Sequence, residues 1–221
     1  MNVWYDGFFE RLETLRDTEQ SVKMAAYMQN KFDFLGLPKP VRNTVLKPLL
    51  KAGRKLPFDW DFVLLCWEKP YREAQYAAVS YVLAHENEFL ESDIDRIKFL
   101  VTEKSWWDTV DMLDGVCGTL VEKHPSLKLT MLEWSYADNT WLRRASIDHQ
   151  QKYKEKTDTE LLEKIIVNNL GSTEFFINKA IGWSLREYSK TNSAWVRDFL
   201  EKHKNGLSSI SRREASKYLM K

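Results

Sequence analysis

The segment SWWDTV, residues 105–110, is one of four similar helix starts along the chain. The other three are PYREAQ at 70–75, TWLRRA at 140–145 and FFINKA at 175–180. In each segment the second residue is aromatic, and these aromatic residues lie 35 positions apart: Tyr71, Trp106, Trp141 and Phe176. A repeat of this length holds two helices of about three to four turns, so the period predicts a chain of helical hairpins.

The residues that follow these aromatic positions indicate stacking between hairpins. Four places further on, the repeats carry mostly small or apolar residues: Gln75, Val110, Ala145 and Ala180. One hairpin cannot bury its own apolar face, so each aromatic side chain is expected to pack on the neighbouring repeat. The Gly and Tyr positions typical of TPR repeats are missing, which favours HEAT-like repeats. We predict an all-α fold, a right-handed α-solenoid of HEAT-like hairpins, with a degenerate repeat that begins near Gly36.

Composition agrees with a helical chain that forms one domain. Of 221 residues, eight are glycine, six are proline and 43% are hydrophobic, so helix breakers are few and a sizeable core is possible. Strand-like alternation and linkers are absent, and we predict a single domain over 1–221. The positions of Pro, Gly and capping residues predict these helices: 3–16, 19–31, 39–53, 58–68, 71–85, 90–102, 105–122, 126–135, 139–155, 158–169, 174–189, 193–203 and 209–219.

Several kinds of site and location are disfavoured. The start of the chain has no apolar leader and no run reaches about 18 apolar residues, so we expect no signal peptide and no membrane span. Cys66 and Cys117 are isolated, which indicates reduced, structural thiols in a cytoplasmic protein. Walker A, GxGxxG, HExxH and GxSxG motifs are absent and the histidines lack ligand spacing, so we expect no metal and no nucleotide cofactor. His149 stands among polar residues and is expected at the surface.

Trp107 is unusual because the repeat does not require it. Trp106 has an aromatic equivalent in every repeat and is therefore assigned to the core. The equivalents of Trp107 are Arg72, Leu142 and Ile177, so stacking alone does not demand a tryptophan there. Core packing and a functional role both remain open for this side chain.

Two carboxylates follow Trp107 on the same predicted helix. Asp108 lies near the helix start, where a negative charge interacts favourably with the helix dipole, and a structural role suffices for it. Asp111 lies four residues after Trp107, on the same face, and no Lys or Arg stands within one helical turn of it. It is either solvated or placed to meet a cation, and both alternatives are open.

Cationic residues cluster in other segments. Arg144, Asp148 and Lys152 follow at intervals of four, which is typical of a solvated face, yet Arg144 corresponds to the basic Lys179 of the next repeat. The segment 34–58 has six basic residues and no acidic one: Lys39, Arg42, Lys47, Lys51, Arg54 and Lys55. The C-terminus adds four more: Arg212, Arg213, Lys217 and Lys221. Segregated positive segments in a chain of net charge +1 predict a phosphate-binding surface.

Four stretches together resemble the AlkD-type family of DNA alkylation-repair glycosylases, which are built from HEAT-like repeats. These stretches are AAYMQNKFDFLGLPKP at 25–40, KSWWDTVD at 104–111, NTWLRRASIDHQQKYKEK at 139–156 and EFFINKAIGWSLREYSKTN at 174–192. They occur in order and at matching separations, so the resemblance covers almost the whole chain. One departure is the sequence LPKP after Gly36, where the family often has smaller polar residues.

The resemblance implies a glycosylase whose repeats form a concave basic cleft around duplex DNA. It implies removal of positively charged N3- and N7-alkylated purines, in base excision repair of alkylation damage, and we expect a monofunctional enzyme without lyase activity. Such a cleft works as a monomer, and we expect a monomer. Trp107 and Asp111 would be the central pair, with Arg144 in contact with the DNA backbone near the lesion. The further residues that the resemblance places in the cleft are Trp183, Tyr27, Lys152 and Arg186, and the repeat position of Lys179 adds it to the expected DNA-binding residues.

Two other functions are compatible with a helical solenoid. A non-catalytic DNA-binding or damage-sensing relative would keep the basic surface without turnover. A protein-binding HEAT scaffold would need neither the aromatic and carboxylate pair nor an acid-free basic segment.

Overall fold

The computed structural model describes residues 4–219, and their regular structure is entirely helical apart from one isolated bridge between Asp33 and Tyr71. This confirms the predicted all-α class for the described residues. The helices are α1 Phe8–Thr14, α2 Thr18–Tyr27, α3 Lys39–Gly53, α4 Trp60–Glu68, α5 Arg72–Ala84, α6 Ile94–Thr102, α7 Trp107–Lys123, α8 Leu127–Trp134, α9 Thr140–Asp148, α10 Thr159–Val167, α11 Phe175–Ser189, α12 Ser193–Lys202 and α13 Ser209–Ala215. None of these helices has the length and apolar character that crossing a membrane requires.

The chain divides into two compact units, unit 1, Met1–Glu88, and unit 2, Phe89–Lys221. The single domain expected over 1–221 and the right-handed solenoid path stay predictions. Val3 at the start of the first predicted helix and Lys221 at the basic C-terminus lie outside the described residues.

A buried carboxylate organises the start of unit 1. Glu73, on α5, is fully buried and accepts hydrogen bonds from the backbone N–H groups of Leu35, Gly36 and Leu37 at 2.9–3.0 Å. These donors lie in the loop that leads into α3. Gly36 has a φ of +88°, and a Cβ there would lie 2.1 Å from the carbonyl oxygen of Asp17. Only glycine fits this position, so Gly36 and Glu73 together set where α3 begins.

The repeat aromatics of unit 2 pack on one another. The ring centroids of Trp106 and Trp141 lie 5.4 Å apart, and Phe176 lies 5.0 Å from Trp106 and 5.1 Å from Trp141. Trp106 is only 8% exposed. Its predicted place in the core is confirmed, and the contacts join three successive repeats as the period required. The equivalent residue of unit 1, Tyr71, is also buried.

Hydrogen bonds in unit 2 repeat the same interval. Ser126 donates to Glu91, the Tyr153 hydroxyl donates to the carbonyl of Gly118, and Lys179 donates to Glu214, each across 35 residues. Equivalent points of adjacent hairpins therefore face one another. This register brings together polar side chains of neighbouring repeats that lie far apart in the sequence.

The predicted helix 139–155 is too long. The structure ends α9 at Asp148, because Gln150 closes the following connection onto the start of α10. The Gln150 side chain accepts from the backbone N–H of Asp158 at 2.8 Å and donates to the Asp158 carbonyl at 3.3 Å. Lys152 consequently lies beyond the helix, and the expected single stripe of Arg144, Asp148 and Lys152 is wrong.

Candidate functional site

The central feature of unit 2 is an ion pair between α7 and α9. Arg144 donates from Nε to Oδ1 of Asp111 at 2.6 Å and from Nη2 to Oδ2 at 2.8 Å. Its Nη1 donates to the carbonyl oxygen of Phe176, on α11, at 2.7 Å. One guanidinium therefore ties three successive repeats together, with the two-pronged geometry that holds a carboxylate most rigidly.

The two partners of this ion pair differ in their exposure. The Arg144 side chain is 3% exposed, whereas the Asp111 side chain is 18% exposed. Of the two alternatives left open for Asp111, the structure shows a cation contact, and its partner lies not within one helical turn but 33 residues downstream, in the next repeat. The carboxylate is thus fixed from behind by a buried cation while its edge reaches the surface.

Two more carboxyl groups surround Arg144. Asp148 is 1% exposed; its Oδ1 accepts from Gln151 at 2.6 Å, and its Oδ2 lies 3.9 Å from Arg144 Nη2. Asp114 on α7 is also buried. The solvated face expected for Arg144 and Asp148 is therefore wrong, since both side chains face the interior.

Burial and mutual repulsion shift the ionisation of these carboxyl groups. Burial raises the pKa of Asp148 to about 7, although Arg144 opposes the shift and Asp111 adds to it. Burial, with Asp148 and Asp111 nearby, raises the pKa of Asp114 well above its ordinary value. Burial alone would lower the pKa of Arg144, but the three carboxyl groups outweigh it and raise that pKa. The guanidinium stays charged.

The carboxyl groups lie close enough to bind a cation together. One oxygen each of Asp111, Asp114 and Asp148 lies within 4.8 Å of the others. However, both oxygens of Asp111 already accept from Arg144, so the guanidinium supplies the positive charge in this arrangement. The expectation that the protein uses no metal stays a prediction.

In the sequence, Trp107 precedes Asp111 and Trp183 follows Arg144. Both tryptophan side chains are partly exposed. Trp107 is the first residue of α7, one turn before Asp111 and on the same face. Trp183, on α11, has three cationic groups 5.5–5.6 Å from its ring centroid, those of Arg144, Lys179 and Arg186. The structure therefore brings three predicted cationic residues around the indole ring of a fourth predicted residue, and one of these cations, Arg144, is the one that holds Asp111.

Glu214 on α13 assembles the cations near Trp183. It accepts from Lys217 at 2.6 Å, from Lys179 at 3.2 Å and from Arg186. Arg186 also pairs with Glu187 at 3.5 Å, so these three cations exceed their two carboxylate partners by one positive charge. The close approach of α13 depends on Gly182, because a Cβ there would lie 2.6 Å from the Cβ of Glu214. Glu214 was not predicted as a site residue, although its spacing of 35 residues from Lys179 was a usable signal.

Comparison with known proteins identifies the family of the chain. Residues 9–219 match the model of the family described as DNA alkylation repair enzyme. The chain belongs to this DNA alkylation repair enzyme family. It is also similar to a solved structure, a predicted DNA alkylation repair enzyme from Enterococcus faecalis, with 38% sequence identity and a TM-score of 0.86. The similarity covers 93% of this chain and 97% of that one. None of the curated proteins matches the sequence.

Within this repair-family fold, Lys152 contacts α7 although it lies beyond the end of α9. Its Nζ lies 2.9 Å from the point where a Cβ on Gly115 would stand. Gly115 is one turn after Asp111 on α7, so the exposed ammonium group rests on the helix that carries the candidate carboxylate. The missing side chain at Gly115 makes room for it.

His149 is buried, and the prediction that it lies at the surface is wrong. Its Nδ1 donates to the carbonyl of Ser146 at 2.6 Å, and burial lowers its pKa to about 4. The reason is the end of α9, which turns this ring inward instead of along a solvated face. At neutral pH it is uncharged and held by a backbone group, so it offers no mobile proton to the site.

Unit 1 carries the other predicted binding residues. Tyr27 ends α2 and is 73% exposed. Five basic residues in or just after α3 are exposed and pair with no carboxylate among residues 4–219: Lys39, Lys47, Lys51, Arg54 and Lys55. Arg42 instead lies over the ring of Tyr76, 4.4 Å from its centroid. The segment predicted to bind phosphate thus presents unneutralised positive charge.

The cation cluster at Glu214 predicts a pH-dependent stability. Burial raises the pKa of Glu214, but hydrogen bonds from Lys217 and Lys179, with the nearby charges, outweigh it and lower the pKa to about 2. An ionised group whose folded-state pKa is lowered stabilises the fold above its unfolded pKa, 4.5, and loses that effect as pH falls toward 2. Wild type should therefore be more stable than Glu214→Gln at pH 6, and this difference should shrink between pH 4.5 and 2.

Urea unfolding at several pH values measures this difference. Glu133→Gln is the matched control, because Glu133 is exposed on α8 and forms no ion pair among the described residues. A Glu214→Gln difference that stays constant with pH would contradict the assigned network.

Proposed function

We propose that this protein is a monofunctional DNA glycosylase that hydrolyses the N-glycosidic bond of positively charged N3- and N7-alkylated purines in duplex DNA. The observation that carries the proposal is the Asp111 carboxylate, which Arg144 fixes at two points and which still reaches the surface. Trp107 lies one turn away on the same helical face. A fixed carboxylate beside a partly exposed indole is a surface suited to a flat cation.

Cleavage of the glycosidic bond in such a substrate requires few catalytic groups from the protein. Alkylation at N3 or N7 gives the purine a formal positive charge, so the base departs as a neutral molecule once the glycosidic bond breaks. Protonation of the leaving group is unnecessary. This agrees with His149, the histidine nearest the carboxyl cluster in sequence, being buried and uncharged. The remaining task is to stabilise positive charge as it moves onto the deoxyribose.

Two side chains are assigned to that task. The face of Trp107 attracts the cationic base, an interaction expected to contribute about 0.5–2 kcal/mol. The carboxylate of Asp111 stabilises an oxocarbenium-like transition state and orients the attacking water, the role that carboxylates have in glycoside hydrolysis. Because its position is set by Arg144 before substrate binds, little reorganisation is required during the reaction.

DNA binding is assigned to the exposed cations. The guanidinium of Arg144 is buried and already makes three hydrogen bonds, so in our assignment it holds Asp111. Phosphate contacts fall to the excess positive charge around Glu214 and to the basic face of α3. A lesion that stays stacked in the duplex would need no deep base pocket, unlike the usual flipped base.

Replacement of Asp111 by asparagine tests the catalytic assignment. We expect Asp111→Asn to lower the rate of 7-methylguanine release from methylated duplex DNA by about 100-fold or more, since a stabilising charge at the transition state is lost. Duplex affinity should change little, because the cations remain. Liquid chromatography of released bases and fluorescence anisotropy of labelled duplex measure the two quantities.

Asp108→Asn is the matched control for that experiment, since it removes a neighbouring carboxylate from the first turn of the same helix. It should keep its activity. Full activity in Asp111→Asn would refute the role of Asp111, and a wild type that binds duplex but releases no base would leave the non-catalytic DNA-binding alternative.

The salt dependence of duplex binding tests whether the basic residues of α3 contact DNA phosphates. Each phosphate contact contributes about 0.9 to the slope of log affinity against log salt concentration. The double variant Lys47→Ala/Lys51→Ala should therefore bind duplex more weakly and lower this slope by about 1–2. Titrations at several salt concentrations give the slope.

Lys202→Ala/Lys204→Ala on and beside α12 is the control, because these exposed lysines already pair with Glu163 and Glu201. It should leave the slope unchanged. Wild-type binding that does not respond to salt would contradict a DNA-binding function and favour the protein scaffold.

A further inference from the structure

Two carboxyl groups behind the Arg144–Asp111 pair have no part in the reaction described above. Asp114 follows Asp111 by three residues on α7, and Asp148 follows Arg144 by four on α9. Both are buried, and one oxygen of each lies within 4.8 Å of an oxygen of Asp111. These positions let them act on the candidate carboxylate through the cation that they share.

The charges in this cluster do not balance. Three ionised carboxylates against one guanidinium would leave two negative charges among side chains that are mostly buried. Burial of unbalanced charge is strongly unfavourable, so the cluster retains at least one proton. Oδ2 of Asp148 is buried and has no hydrogen-bond partner, whereas Oδ1 accepts from Gln151. One oxygen of Asp148 is therefore held by a hydrogen bond, and the other can gain or lose a proton without breaking one.

We propose that Asp148 is a positioning residue for the glycosylase reaction, and that its ionisation sets how strongly Asp111 attracts a cation. The inference rests on the proposed function. When Asp148 is neutral, Arg144 directs its whole positive charge at Asp111 and offsets it. When Asp148 is ionised, the guanidinium is shared by two carboxylates, and Asp111 presents more negative charge to the substrate.

The other charged groups near Asp148 come from several elements. On α9 Arg144 lowers its pKa, and on α7 Asp111 raises it. Asp114 lies on the same face of α7 as Asp111, and the charge of Asp148 contributes to raising the pKa of Asp114. Further out lie Lys152 over Gly115, the Lys128–Asp158 pair beside His149, and the cations of α11 around Trp183 with Glu214: Lys179 and Arg186.

The sign of the pH dependence follows from the buried state of Asp148. Burial raises its pKa to about 7, so it gains a negative charge as pH rises through the neutral range. That added charge strengthens the stabilisation of a positively charged sugar. Base release by the wild type is therefore faster above pH 7 than below it, because Asp148 of the protein ionises and not because the substrate changes its charge.

The test compares wild type with Asp148→Asn on one methylated duplex between pH 5.5 and 8.5. Asparagine imitates the neutral acid, so the two rates should agree at low pH, and wild type should become faster by on the order of tenfold at high pH. The ratio of the two rates cancels ionisation of the substrate itself. Rates must be corrected for spontaneous base loss at each pH.

Asp138→Asn, which changes an exposed carboxylate just before α9, should give a ratio that does not vary with pH. A flat ratio for Asp148→Asn, with active wild type, overturns this inference and leaves the proposed function intact. A wild type that releases no base at any pH overturns the proposed function and this inference together.

Should Asp148→Asn fail to fold, the wild type supplies the deciding measurement. Carbon-13 NMR of protein labelled at the aspartate carboxyl carbons reports each ionisation directly. A carboxyl resonance that titrates near pH 7 supports the inference. Titration of every aspartate below pH 5 overturns it.

Discussion

The ion pair between Arg144 and Asp111 is the interaction on which the candidate site depends. A buried guanidinium binds both oxygens of one carboxylate and the backbone of the following repeat, and it thereby fixes α7, α9 and α11 relative to one another. Loss of either partner would leave an uncompensated charge in the interior, which is far more unfavourable than loss of a surface pair. The same contact that stabilises unit 2 also fixes the partly exposed carboxylate, so the packing of unit 2 and the geometry of the candidate site share one cause.

The repeat period explains how such a contact arises. Adjacent hairpins place equivalent positions face to face, so a residue in one repeat meets a partner about 35 residues away. Lys179 and Glu214 use this register, and Gly182 allows α11 and α13 to approach closely enough for it. The arrangement separates two kinds of charge. Positive charge collects at Glu214, while carboxyl groups collect around Arg144, which suits the proposed substrate, a polyanion that carries a cationic base.

Much of this architecture was predictable from local pattern. The aromatic period identified the helical class, and α3 has the predicted bounds, since proline and glycine mark its ends. The core position of Trp106 followed from its equivalents in other repeats. The partner of Asp111 was not predictable from helical spacing, because that test covers one turn and the partner lies in the next hairpin. His149 and Lys152 were misplaced for one reason: a tertiary hydrogen bond from Gln150 ends α9 earlier than its polar sequence suggests.

In the proposed reaction, Asp111 faces positive charge on the sugar during base release. The affinity of the protein for two duplexes that differ at one residue, with a cationic pyrrolidine or an uncharged tetrahydrofuran in place of deoxyribose, tests this role directly. Wild type should prefer the cationic duplex, and Asp111→Asn should lose this preference. Equal affinity of wild type for the two duplexes would contradict it.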